Sequence, residues 1–218
     1  MLIESTLHNA PSSRSLRHDA PARPYAFADS PAMEVTGTSR SLRRNAEIYR
    51  ENDQADHVYQ VISGTVRTCR VLLDGRRQIG DFYLPGDLFG MEIGIRHTFS
   101  AEAVIGAEVT AFKRSEASTQ MWALLGRELR RTQDHLLMLV KTARERVASF
   151  LLEMAERLEF SDEIELSMPR HDIADYLGLT IETVSRSLTQ LENQSAIALP
   201  TSKRIVLRNR AALRRLNA

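Results

Sequence analysis

Between His171 and Leu188 the chain sets one glycine among apolar residues at spacings suited to two short helices that cross. Ile173 and Leu177 are four apart, so they share one face of a first helix. Gly178 follows at once and supplies the backbone conformation that ends it. Leu179 falls inside the turn, and Thr180 stands where a hydroxyl can accept a hydrogen bond from a free N–H of the next helix. Val184, Leu188 and Leu191 recur at three- and four-residue steps and form an inward face. Ala174 is small where the two helices must approach closely. This is the layout of a helix-turn-helix.

Once the inward residues are assigned, Glu182, Ser185 and Arg186 remain on one face of the second helix, in its N-terminal half. A helix in this frame enters the major groove. There Arg grips guanine O6/N7 with two donors, a carboxylate accepts from cytosine N4, and Ser bonds either way or touches a thymine methyl. The competing reading is a Glu182–Arg186 surface ion pair on an ordinary solvated helix. Thr180, Thr183 and Thr189 border the same face and are candidates for phosphate contacts.

After this helix, Ser195 to Pro200 and then Ile205-Val206-Leu207 fit a two-stranded wing. Its tip, Ser202, Lys203 and Arg204, either touches phosphate or is a solvated turn. Residues 166–218 hold eight Lys/Arg against four Asp/Glu, while 144–165 hold three Arg against seven acids. The basic surplus therefore lies at the C-terminal end, where a DNA-binding domain needs it, although the whole chain carries only +1.

Upstream the text is different. Residues 1–30 carry prolines among Ser, Arg and Ala with no periodicity, and read as a flexible tail. From 31 to 114, short β-rich runs alternate with turn signals: Val58 to Ile62 before Ser63-Gly64, Thr65 to Leu73 before Asp74-Gly75, and Gln78 to Leu84 before Pro85-Gly86-Asp87. Strands at this spacing predict an antiparallel barrel or roll, with Asp74-Gly75 as a two-residue hairpin turn. Over 115–143 the period becomes helical. Leu129, Thr132, Leu136, Leu139, Ala143, Arg146 and Phe150 follow the three-four spacing of a dimer seam, as a core-facing helix also would. Met138 and Val140 widen the apolar surface enough to serve both a roll and a partner chain. A break is expected near residue 144, and 144–218 form the winged helix-turn-helix. The class is α+β.

Composition excludes several functions. No apolar run reaches the length of a membrane span, and no secretory signal is expected in residues 1–31, which hold no apolar run flanked by positive charge. The single cysteine, Cys69, forms neither an internal disulfide nor, alone, a zinc or iron–sulfur site. His57 and His97 have no metal-like partner at fixed spacing, and no P-loop or nucleophile–base constellation is present. No cofactor, no metal and no enzymatic activity are expected, and the location expected is the cytoplasm.

The combination resembles the CRP/FNR superfamily of bacterial transcription regulators over about residues 35–215. Val61-Ile62-Ser63-Gly64-Thr65-Val66-Arg67, followed by Leu84-Pro85-Gly86-Asp87-Leu88-Phe89-Gly90, is similar to the family's β-roll signature. The long helix and the winged helix-turn-helix follow in the family's order. The resemblance implies a cyclic-nucleotide-binding-like jelly roll and a homodimer on double-stranded DNA. Glu182-x-x-Ser185-Arg186 resembles the FNR-type reading triplet, which implies a TTGAT-N4-ATCAA-like palindrome. Arg186 would read the half-site G, Glu182 the base paired with it or its neighbour, and Ser185 a thymine. Ile181 stands where the CRP branch has Arg.

The sensing end departs from both well-known patterns. The N-terminal tail holds no cysteine for an iron–sulfur centre. Phe99, in His97-Thr98-Phe99-Ser100-Ala101, replaces the arginine that holds a cyclic-nucleotide phosphate. These departures resemble the FixK branch and imply an activator of low-oxygen respiration and nitrogen-fixation genes that works without a small ligand and recruits RNA polymerase. In relatives the loop corresponding to Leu73–Gln78 touches the polymerase, so Asp74, Arg76 and Arg77 form either an activation patch or a polar turn. The alternative to a constitutive activator is a receptor whose ligand in the roll switches DNA binding.

Overall fold

The computed structural model describes residues 37–114, 121–158 and 161–216. The tail expected over 1–30 lies outside them. Eight strands come first: β1 (Thr38–Leu42), β2 (Glu47–Tyr49), β3 (His57–Ser63), β4 (Val66–Val71), β5 (Arg77–Tyr83), β6 (Leu88–Phe89), β7 (Ser100–Ala103) and β8 (Ala107–Lys113). They form two four-stranded antiparallel sheets, ordered β1-β8-β3-β6 and β2-β7-β4-β5. Helices α1 (Met121–Leu139) and α2 (Ala143–Arg157) follow. The C-terminal part contains β9 (Glu163–Glu165), α3 (Arg170–Leu177), α4 (Ile181–Asn193), β10 (Ile197–Ala198), β11 (Arg204–Leu207) and α5 (Arg210–Arg215). Strands β10, β11 and β9 make a third sheet in that order, so the wing gains a strand from the segment before α3. The fold is the α+β roll, helix and winged helix-turn-helix that the sequence predicts.

Two apolar cores organise these parts. One lies between the two roll sheets and draws Tyr49, Tyr59, Val61, Val66, Phe89 and Val109 from five strands. The other forms on the outer side of β4 and β5. Cys69, Ile79 and Phe82 there join Phe150 and Leu151 of α2, Ile173 and Leu177 of α3, and Val184, Leu188 and Leu191 of α4. Each large apolar side chain so buried contributes about 1.5–3 kcal/mol. The second core therefore fuses roll, α2 and helix-turn-helix into one packed unit.

A bulge makes that core possible. Thr68 pairs with Asp81 and Cys69 with Ile79, leaving Gly80 as the extra residue. Ile79 and Phe82 are three apart and would point to opposite faces of a regular strand; the bulge turns both toward the helices. A Cβ on Gly80 would lie 2.9 Å from Thr68 Oγ1 and 3.0 Å from the Phe99 ring, so a side chain there would force Thr68 and Phe99 to shift.

Three expectations need correction. The β4–β5 hairpin closes through the three residues Leu73-Asp74-Gly75, because the Gly75 N–H bonds the Leu72 carbonyl and the Leu72 N–H bonds that of Arg76. The helical break falls at 140–142. Thr142 caps α2 by accepting from the Glu145 N–H (3.4 Å), while the Glu145 carboxylate accepts from the Thr142 N–H (2.9 Å). Ala143, expected on the dimer helix, therefore opens α2 instead, and Arg146, read as a seam member, lies a turn into it.

Candidate nucleic-acid interface

α3 ends at Gly178, whose φ of 61° is the left-handed conformation that favours glycine. Thr180 then caps α4, its hydroxyl accepting from the Thr183 N–H at 3.2 Å. Ala174 and Leu177 on α3 pack against Val184 and Leu188 on α4, all buried, and fix the crossing of the two helices. The opposite face of α4 leaves Glu182, Ser185 and Arg186 exposed together.

No salt bridge joins Glu182 to Arg186 among the described residues; Arg186 Nη2 instead donates to Thr183 Oγ1 at 3.3 Å. The Glu182 carboxyl is held below its usual range, first by its own backbone N–H and then by the Thr180 hydroxyl. It is thus an ionised acceptor at the positive end of a helix, beside a guanidinium whose remaining donors face solvent. The threonines expected at phosphate are partly engaged within α4: Thr180 and Thr183 hydroxyls lie 3.1 Å apart, and Thr189 Oγ1 donates to the Ser185 carbonyl at 3.1 Å.

The wing tip divides into unlike residues. Ser202 and Lys203 are exposed. Arg204 is also exposed, but its Nε donates to Glu163 on β9 at 2.5 Å. Arg170, which the sequence reading passed over, donates Nη2 to the Ser202 carbonyl at 2.7 Å and ties the wing to the start of α3. Its place on the first turn of α3 was the available signal.

The hairpin tip also divides. Asp74 and Arg76 pair with each other at 2.7 Å beside a fully exposed Leu73. Arg77, expected in the same exposed patch, turns away from it: its Nε donates to Asp175 at 3.0 Å, and Nη2 bonds both Asp175 (2.8 Å) and Asp172 of α3. On α1, Leu129, Thr132, Leu136 and Leu137 are exposed, Leu139 is half-buried and Met138 is buried in the second core. The side of the helix facing the roll is held by Arg131, which pairs with Asp81 at 2.5 Å and lies over the Tyr83 ring.

At the loop where a cyclic-nucleotide phosphate would sit, the polar groups bond one another. Glu92 Oε1 accepts from the Thr98 N–H (2.8 Å) and hydroxyl (3.0 Å). Arg96 donates to the Asn52 carbonyl at 2.6 Å. Phe99 packs on Gly80, and His97 is buried in a stack on Tyr49 with centroids 3.5 Å apart. Burial holds His97 below the usual histidine range despite the nearby Glu92.

Comparison with known proteins gives consistent matches. The Crp-like helix-turn-helix domain matches residues 145–216, and the cyclic nucleotide-binding domain matches residues 39–121. The nitrogen fixation regulation protein FixK of Azorhizobium caulinodans is 47% identical over 222 residues, 94% of this chain and 88% of that protein. FixK of Rhizobium meliloti is 45% identical over 174 residues, 78% of this chain and 82% of its own length. The solved structure of FixK2 from Bradyrhizobium japonicum matches with a TM-score of 0.80 at 48% identity, covering 84% of this chain and 98% of that one.

Proposed function

The chain belongs to the CRP/FNR family of DNA-binding transcription regulators, of the FixK-like kind and not an enzyme, and from that premise we propose that it is a homodimeric activator reading a TTGAT-N4-ATCAA-like palindrome without a small ligand. One observation carries the reading: Glu182, Ser185 and Arg186 stand exposed on one face of α4, with no salt bridge between acid and base. Each half-site is read by one protomer. Arg186 takes the guanine, Glu182 its neighbourhood on the other strand, and Ser185 a thymine. Lys203 and the threonines around α4 supply contacts to phosphate.

The second copy covers the apolar stripe of α1 around Leu129, Leu136 and Leu137, because a palindrome mirrors a two-fold axis. Residues 31–114 act as the roll, 115–142 as the dimer segment and 143–218, which open with α2, as the reader. The hairpin tip at Leu73, Asp74 and Arg76 meets RNA polymerase. The FixK relatives, named as nitrogen fixation regulation proteins, support control of nitrogen-fixation genes; control of low-oxygen respiration and a cytoplasmic location belong to the same proposal.

The test is a fluorescence-anisotropy titration with this palindrome and a scrambled duplex at fixed salt, first without ligand and then with cyclic AMP. Selective binding without ligand is expected. Selectivity that appears only with the nucleotide would favour the ligand-switched receptor that the roll's family match allows. No selectivity in either condition would overturn the assignment of the triplet.

A further inference from the structure

The second core brings a cluster of charges into the joint between roll and helix-turn-helix. Asp172 on α3 is fully buried, at 0% exposure, yet carries a carboxylate. Its Oδ2 accepts from Arg67 Nη1 on β4 at 2.5 Å, its Oδ1 accepts from Arg77 on β5, and His171 Nε2 lies 3.0 Å from Oδ1. Arg67 is itself only 6% exposed and shares its fork with Glu102 on β7 at 2.6 Å. Arg77 adds two bonds to Asp175, one turn along α3.

Such a cluster is a weak source of stability. Desolvation offsets much of the attraction between buried charges, and apolar residues of similar volume often do as well. Its distinctive product is geometry. A guanidinium is a planar fork that fixes direction as well as distance, and a buried carboxylate cannot slide away from its partners without being left unpaired. Two forks from adjacent strands therefore set the rotation and position of α3 on the roll.

The other end of α3 is held as well. Arg146 of α2 donates Nη1 to the Leu177 carbonyl and Nε to the Lys141 carbonyl, both at 2.9 Å. It thus ties the last turn of α3 to the segment that joins α1 to α2. Because the α3–α4 crossing is packed, holding α3 holds the reading face of α4.

We infer that Arg67 and Arg77 are positioning residues for operator reading: with Asp172 and Asp175 they latch the helix-turn-helix to the roll, and so set the spacing between the two reading helices of a dimer. The inference rests on the proposed DNA reading for its consequence, and on this joint for its geometry. A dimer whose readers swing freely binds one half-site as well as before, but loses the preference for one spacing between half-sites.

The experiment measures both links on the full-length chain. Nitroxide labels at Lys113 on β8 and Gln190 on α4, both exposed, report the distance distribution between roll and reader by pulsed electron resonance without DNA. The parent should give a narrow distribution, Arg77→Ala a broad one, and Arg77→Lys, which restores the charge but not the fork, an intermediate one. Asp172→Asn, which keeps the shape of the side chain, should also broaden it. An unchanged distribution in Arg77→Ala and Asp172→Asn would overturn the latch. In parallel, palindromes with the spacer natural or altered by about two base pairs are titrated. Arg77→Ala should lose about tenfold on the natural spacer and become tolerant of the others, with base discrimination within a half-site intact. Equal loss on every spacer, with lost base discrimination, would overturn the positioning role. A parent that reads no operator would sink the functional reading alone, and the distance measurement would still decide the latch.

Discussion

The helix-turn-helix and the roll of this molecule treat their polar groups in different ways. On α4, Glu182, Ser185 and Arg186 face outward, acid and base unjoined by a salt bridge. In the loop around Phe99, Glu92 bonds Thr98, Arg96 bonds Asn52, and His97 is buried under Tyr49. A face kept open has donors and acceptors for an incoming partner. A loop whose Glu92, Thr98 and Arg96 are already bonded must break those bonds before they can hold a ligand, each worth about 0.5–1.5 kcal/mol net. The roll keeps the fold of a cyclic nucleotide-binding domain around this loop, and in the second core it serves as a platform for the helix-turn-helix.

The comparison breaks most severely where the reader loses its support. Leu177 is fully buried between α2, α3 and α4. Leu177→Ala should cost about 2–5 kcal/mol through lost burial and the cavity left behind. Phe99→Ala, at a half-buried site, should cost less. Thermal denaturation of the two variants side by side checks the order; the reverse order would mean that the reader does not rest on this core.

Removing the reading chemistry itself comes next. Arg186→Ala should cost about 1–3 kcal/mol in operator affinity and relax discrimination at one base of each half-site. Arg186 contributes no buried contact, so the melting temperature should hardly move. Titrations against operators substituted at single positions give the answer. A uniform loss over all sequences would make Arg186 a phosphate contact.

How much of this was legible follows from how far apart the cooperating residues are. The helix-turn-helix was readable because Ile173, Leu177, Gly178, Thr180 and Val184 interact over three to seven residues, within reach of helical periodicity. The cap that starts α2 lay in the text as Thr142-x-x-Glu145, a capping box, and would have placed the break correctly. The roll's strands were visible from their turns, but their order in two sheets was not. Nor was the bulge at Gly80, which decides where Phe82 points. Arg67 and Asp172 are separated by 105 positions; nothing local distinguishes either from a solvated surface charge. Arg77 shows the same limit, since beside Arg76 it looked like half of an exposed pair, and only the packing of α3 on β5 turns it inward.

Acid should sharpen the contrast, because the roll has a buried histidine and the joint with α3 a half-buried one. Burial holds His97 in the roll and His135 on α1, whose ring lies tilted against Tyr176 of α3 with centroids 4.3 Å apart, below the usual value of 6.5. The unfolded chain therefore takes up protons first. The stability tied to each neutral ring is fully present above that value and is lost as pH falls below it. Glu128 and Glu153, raised mainly by burial, act in the opposite sense at lower pH, so the histidines must be isolated by substitution. Melting temperatures of the parent, His97→Gln and His135→Gln between neutral pH and mild acid should show a shallower decline in each variant. A parental slope in His135→Gln would remove the joint from the account, leaving the roll alone as the acid-sensitive part.

The smallest effect tests whether the wing belongs to the open face or to the self-satisfied kind of surface. Lys203 projects from the tip, whereas Arg204, the next residue and the first of β11, gives its Nε to Glu163. A cation that neutralises a phosphate releases condensed counterions, so its loss should reduce the slope of log affinity against log salt by about one. Lys203→Ala should show nearly this full change, equally on operator and scrambled DNA. Arg204→Ala should show less, because its charge is already partly balanced and its ion pair must be shared with the DNA. Equal slopes for the two variants would mean that Glu163 releases Arg204 on binding. A slope unchanged in both would place the wing tip away from the backbone and confine the electrostatic contact to α3 and α4.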